Sequence, residues 1–153
     1  MAVGTFTLFR ANLDDMRMQD LLGATVKMAL VTSAYTPDAT NTGHATWSNV
    51  SANEIANGNG YTTGGATVAT DTVTAITNGW EYDSASPTWT AAGGNIPAFR
   101  YFVMYVVGAL WGKTDPLIGY VLGDDTPADV PATTSGNPLT INPSANGWFR
   151  ITS

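Results

Sequence analysis

The chain has no cysteine, one histidine, and charged residues at only 12% of its 153 positions, about half the usual share. Without cysteine there is no disulfide framework and no thiolate metal site, and no sign of an oxidising compartment. Assembly inside a cell is the simpler expectation. The six basic residues, Arg10, Arg17, Lys27, Arg100, Lys113 and Arg150, are scattered through a chain of net charge −6. With no basic stripe to neutralise phosphates, direct nucleic-acid binding is not expected. The start, "MAVGTFTLFRANLDDMRMQD", lacks a basic leader and is interrupted by Asp14 and Asp15, which predicts no secretory signal.

The longest apolar run is Tyr101 to Trp111, eleven residues with one glycine, ending at Gly112-Lys113-Thr114-Asp115. A spanning helix needs about eighteen or more apolar residues, so no membrane segment is predicted. What the chain has in abundance is threonine, asparagine, glycine and alanine, a polar but weakly charged composition. Its length suits one domain burying roughly two thirds of the surface of the unfolded chain.

One helix is predicted, in "ANLDDMRMQDLLGA". Asn12 suits the N-cap, Asp14 and Asp15 the first turn, and Gly23 a left-handed C′ position, with Leu13, Met16, Met18, Leu21 and Leu22 as an apolar stripe. From Ala24 the period changes to two: Val26, Met28 and Leu30 face one way, and Lys27, Ala29 and Val31 the other. Residues 37–65, rich in Gly, Asn, Thr and Ser, are expected to form a long ordered loop anchored by Trp47, Val50, Ile55 and Tyr61.

Asn78-Gly79 predicts a type I′ hairpin with arms Val73 to Thr77 and Trp80 to Asp83. Phe99 to Val107 and Leu117 to Leu122 are expected to pair. Alternation sets Phe99, Tyr101, Val103, Tyr105 and Val107 against Phe102, Met104 and Val106, both faces apolar, as in a central strand covered on both sides. Gly123 to Pro138 reads as a loop, followed by strands Leu139 to Asn142 and Gly147 to Thr152. One short helix and seven to nine short strands predict a mainly β fold: a single-domain antiparallel β-sandwich or related barrel over residues 1–153, with residues 1–12 as an N-terminal arm.

No catalytic constellation emerges, and the chain is not expected to be an enzyme. His44 lacks a nucleophile elbow, an HExxH motif or a second imidazole, and reads as a loop hydrogen-bonder. Glu54, Glu81 and Asp83, or Asp124, Asp125 and Asp129, lack the EF-hand spacing. They read as solvated acids and turn formers, with calcium in the Asp124 loop a lesser alternative. No lysine follows the glycines of "NGNGYTTGG", which therefore suit tight turns rather than phosphate. No cofactor or metal site is expected. Of the five tryptophans, Trp47, Trp80, Trp89, Trp111 and Trp148, most are expected in the core. Trp111, between Gly108 and Gly112, is the best candidate for an exposed loop tip.

The ordered series "TVKMALVTSAYTPD", "H..W" at His44 and Trp47, "NEI...GYTTGG", "RYFVMYVVG", "DPLIGYVLG" and "GWFRIT" resembles a family of small structural proteins of tailed bacteriophages, from about Thr25 to Thr152. It departs from that pattern in "GALWGKTDP", where a tryptophan stands in what is commonly a polar turn, and in the proline-rich Thr126 to Pro138. The resemblance implies a head decoration, or cement, protein on the virion exterior, assembled in the host cytoplasm. Its implied partners are the major capsid protein and further copies of itself, a trimer being favoured. Contacts are then expected from Ala2 to Leu13, including Phe6, Leu8, Phe9 and Arg10. Further contacts are expected from Pro37 to Gly60, including His44 and Trp47, and from Leu110, Trp111 and Lys113. The alternative is a tail, baseplate or adhesin module binding a host surface glycan.

Overall fold

A computed structural model describes residues 4–126 and 128–153; Ala2 of the expected arm and Pro127 of the expected loop lie outside the described residues. Among the described residues, twelve strands follow one another along the chain. The first half carries β1 (Thr7–Leu8), the short helix α1 (Met18–Leu21), β2 (Thr25–Val31), β3 (Ala66–Thr67), β4 (Thr72–Ile76) and β5 (Gly79–Asp83). The second half carries β6 (Thr88–Thr90), β7 (Tyr101–Val107), β8 (Ala109–Leu110), β9 (Lys113–Thr114), β10 (Leu117–Leu122), β11 (Pro138–Thr140) and β12 (Phe149–Thr152). The fold is mainly β, with several antiparallel sheets and no closed barrel.

The largest sheet has the order β1-β10-β7-β2-β3. The two continuous apolar runs lie at its centre, in register Val26↔Val106, Met28↔Met104 and Leu30↔Phe102. The expected two-residue period of β2 is observed, and β7 is covered on both faces. Val26, Met28, Leu30, Phe102, Met104 and Val106 enter one core cluster, and Ala29, Val31, Val103 and Tyr105 the other. Each fully buried Val, Leu, Met or Phe side chain among them contributes about 1.5–3 kcal/mol. In β10 an extra residue, Ile118, interrupts the register between Leu117 and Gly119. This bulge lets Leu117 and Ile118 enter opposite clusters while Val121 joins Ile118.

The main cluster is closed by Tyr82 of β5, Phe149 of β12, Trp89 of β6 and Leu139 of β11. A three-stranded sheet β12-β5-β4 and the pair β11-β6 thus form the second layer of the sandwich. The other face of the large sheet is covered by chain rather than by a sheet: Phe9, Tyr35 and Val50 pack there, with Trp47 against them. That is the role of the long loop, which contains only two 3-10 turns, Trp47–Asn49 and Ser51–Asn53, and no strand before β3.

Three local expectations are corrected. The helix is one turn long, its N-cap position is Arg17, and Gly23 does not take a left-handed conformation. Asn12 does not cap it. Its side chain is buried and bonded to the carbonyls of Ala45 and Leu117, so tertiary partners outcompete local capping. The Asn78-Gly79 hairpin forms, but its two loop residues are Thr77 and Asn78, and only Asn78 has positive φ, 61°. Gly79 already belongs to β5, where a Cβ would lie 2.1 Å from the carbonyl oxygen of Ile151. Close approach to β12, not turn geometry, requires that glycine. Finally, Phe99 precedes β7 and joins the same cluster as Phe102, not the face of Val103.

Candidate partner-contact surface

The residues expected to meet a partner mostly serve the fold. Phe9 is wholly buried, and its ring lies 5.3 Å from that of Tyr120. Leu8 pairs with Gly119 at the edge of the large sheet, and Phe6 stacks on Phe149 at 5.3 Å. A Cβ on Gly119 would fall 2.1 Å from the Phe6 ring, so the missing side chain makes room for it. Arg10 is exposed, its Nε donating to the Ala39 carbonyl at 3.0 Å. Within the described residues, then, the expected arm is an edge strand and a core plug. Removing Ala2 to Arg10 would take part of the core with it, so this segment serves the fold rather than standing free as an arm.

His44 is a loop hydrogen-bonder, as its isolation in the sequence suggested. Its Nδ1 lies 2.8 Å from the Tyr35 hydroxyl, and its ring stacks on that tyrosine at 5.4 Å. The rings of Phe9, Tyr120, Tyr101, Tyr35 and His44 form one continuous run at centroid spacings of 5.3 to 6.0 Å. Burial, and after it the neighbouring Tyr120, pushes the Tyr35 hydroxyl above its ordinary range. Trp47 lies flat on Tyr105 with centroids 4.3 Å apart and planes 7° from parallel, joining the loop to the centre of the sheet.

The tip after β7 forms a hairpin of its own, β8 with β9, and both turn residues have positive φ: Trp111 at 53° and Gly112 at 69°. That is the signature of a type I′ turn. Trp111 does not project outward, which corrects the expectation of an exposed tip. Its Nε1 donates to Asp20 Oδ2 at 3.1 Å, and its ring and Leu110 pack against the main cluster. Lys113 lies 3.8 Å from Asp15. The tip therefore clasps the helix segment, and its apolar residues are explained by that contact.

The acids are occupied locally. Glu54 Oε1 accepts from the Tyr61 hydroxyl and from Gly64 N–H, each at 2.6 Å, which fixes the end of the long loop. Arg150 Nε donates to Glu81 at 2.7 Å and Arg100 Nε to Asp129 at 2.8 Å. Asp124 accepts from the backbone and hydroxyl of Thr126, which hold its carboxyl below the usual range. Among the described residues, no group of three or more His, Asp or Glu side chains comes together as a metal site would need.

The exposed apolar feature lies elsewhere, on the three-stranded sheet. Trp80 and Ile151 face each other in register on β5 and β12, 52% and 40% exposed. Two residues further along the same face, their neighbours Tyr82 and Phe149 are buried in the core. The inward face of this sheet thus overhangs the core at its hairpin end. Beneath the overhang a groove of about 350 Å3 is lined by Arg17, Met18, Gln19, Val73, Trp80 and Ile151. Three of the six cations, Arg100, Lys113 and Arg150, are paired with carboxylates, whereas Arg17 has no such partner among the described residues. The sequence signal for Trp80 was its place at the start of an arm after Asn78-Gly79, where alternation gives the face but not the extent of the core beneath it.

A larger groove of about 660 Å3 runs between the N-terminal segment and β12, with Asn142, Ser144 and Asn146 on its rim. Trp148 and Phe149 in its wall are each only 6% exposed, and Trp148 Nε1 is bound to Ser84 Oγ at 2.7 Å. Neither ring offers an open face for a sugar to stack on. Compared with known protein families, curated proteins and solved structures, the chain gives no match.

Proposed function

We propose that the protein is a non-catalytic virion structural protein that decorates the assembled shell of a tailed bacteriophage by binding the major capsid protein. The reading takes the partner from the sequence resemblance. The observation that supports it in the fold is the exposed Trp80–Ile151 pair beside Arg17, which has no carboxylate partner among the described residues. A solvated tryptophan on a rigid sheet, flanked by a cation, suits a partner surface carrying an apolar side chain next to a carboxylate. Binding across several shell subunits stabilises the assembled state by mass action, and self-association multiplies weak contacts.

Purified protein should co-sediment with assembled shells, and Trp80→Ala should weaken that binding by about tenfold or more while leaving the domain folded. Absence of wild-type binding to shells, or localisation of the protein to the tail in particle maps, would reject the reading.

A further inference from the structure

Strand edges invite pairing with other chains, and proteins blunt them with short length, proline, lysine or arginine, or a bulge. Nearly every edge of this molecule carries such a device. β1, β3, β8 and β9 are two residues long, and β9 includes Lys113. β6 is three residues long and follows Pro87, β11 begins with Pro138, and β12 carries Arg150. The exception is β4. Its five residues, Thr72-Val73-Thr74-Ala75-Ile76, include no charge and no proline, and they pair with β5 in unbroken register. Thr72, Thr74 and Ala75 are exposed, and among the described residues no strand lies on the other side.

We propose that β4 is the interface with a second copy of this chain, paired antiparallel about a two-fold axis through Thr74. That register sets Val73 opposite the second copy's Ala75 on one face, and on the other Thr74 opposite its Thr74, with Thr72 opposite its Ile76. It also keeps like charges apart in a chain of net charge −6, because Asp71 falls opposite Thr77 rather than opposite its own copy. The Asp71 carboxylate is in any case held by the Tyr82 hydroxyl at 3.1 Å.

A six-stranded sheet results, β12-β5-β4 continued into its copy. A two-fold axis perpendicular to the sheet leaves both Trp80 grooves on the same side, so the dimer presents two contact patches to one surface. The proposal makes specific the self-association within the reading above, and rests on that part of it. It replaces the threefold arrangement expected from the resemblance with a two-fold one.

The test is solution mass by sedimentation velocity, without shells, from about 1 µM to about 1 mM, a range suited to a small interface. The mass should rise from 16.1 kDa towards twice that value. Thr74→Lys places two ammonium groups face to face and should raise the dissociation constant by about fivefold or more. Thr72→Lys, also on an exposed side chain, serves if the first variant misfolds. Amide exchange in β4 should slow as concentration rises. A mass of 16.1 kDa at every concentration, or a dimer indifferent to both lysines, overturns the proposal. Shell binding by Trp80→Ala is scored separately, so failure of the shell reading and failure of this interface are distinguishable.

Discussion

Asn12 Nδ2 donates to two main-chain carbonyls at once, those of Ala45 and Leu117, each at 2.7 Å. One wholly buried amide thereby ties the N-terminal segment, the long loop and β10 together. Ala45 also receives the N–H of Leu117 at 2.9 Å, so the knot has a backbone strand through it. The Asn12→Ala variant should lose about 2 kcal/mol, since it leaves buried acceptors short of a donor. Asn12→Asp keeps the shape but turns the donor into a third acceptor. It should cost more, about 3 kcal/mol or above, because a buried carboxylate would face carbonyl oxygens without a donor. Urea midpoints order the three proteins; an aspartate variant as stable as wild type would show that the two carbonyls do not hold Asn12.

Two glycines separate steric from conformational demands. At Gly112, φ is 69° and an added Cβ would meet nothing within 4 Å, so Gly112→Ala should cost only the left-handed backbone term, about 1 kcal/mol. At Gly79 no positive φ is required, yet the added Cβ would lie 2.1 Å from the Ile151 carbonyl. Gly79→Ala must therefore open the β5–β12 pairing and should cost about 3 kcal/mol or more. Thermal midpoints, with amide exchange in β12 as a local readout, distinguish the two. Equal losses would mean that Gly79 is retained for its turn after all.

The elements legible in the sequence are those whose signal is local. The period-two pattern of Thr25–Val31 and the doubly apolar Tyr101–Val107 reported both the strands and their central position, because burial on two faces leaves no polar residue inside the run. Asn12 and Phe9 were misread for the opposite reason. Their partners lie as far as 105 and 111 positions away, and a two-residue strand such as Thr7–Leu8 has no periodicity to read. The exchange of roles between Trp111 and Trp80 has the same origin. The glycines around Trp111 announced its turn, but not that Asp20 would receive its indole. Trp80 alternates correctly with Tyr82, but the core ends between them.

Four of the six tyrosines should resist titration until the fold opens. The hydroxyls of Tyr35, Tyr61, Tyr82 and Tyr105 are all raised above the ordinary value of 10.0, in each case chiefly by burial. Secondary causes are Tyr120 for Tyr35, the Glu54 bond for Tyr61, the nearby Asp71 for Tyr82, and the Glu54 charge for Tyr105. A raised folded-state value means that the native state keeps protons which the unfolded chain releases. The contribution is complete below pH 10.0 and declines as pH rises above it towards the higher folded-state values. Stability should thus fall steeply in alkali, and phenolate absorbance from these four side chains should appear together with loss of near-ultraviolet circular dichroism. If these four tyrosines ionise while the circular dichroism stays native, their hydroxyls are reached by solvent and the packing around Tyr61 and Tyr82 is loose.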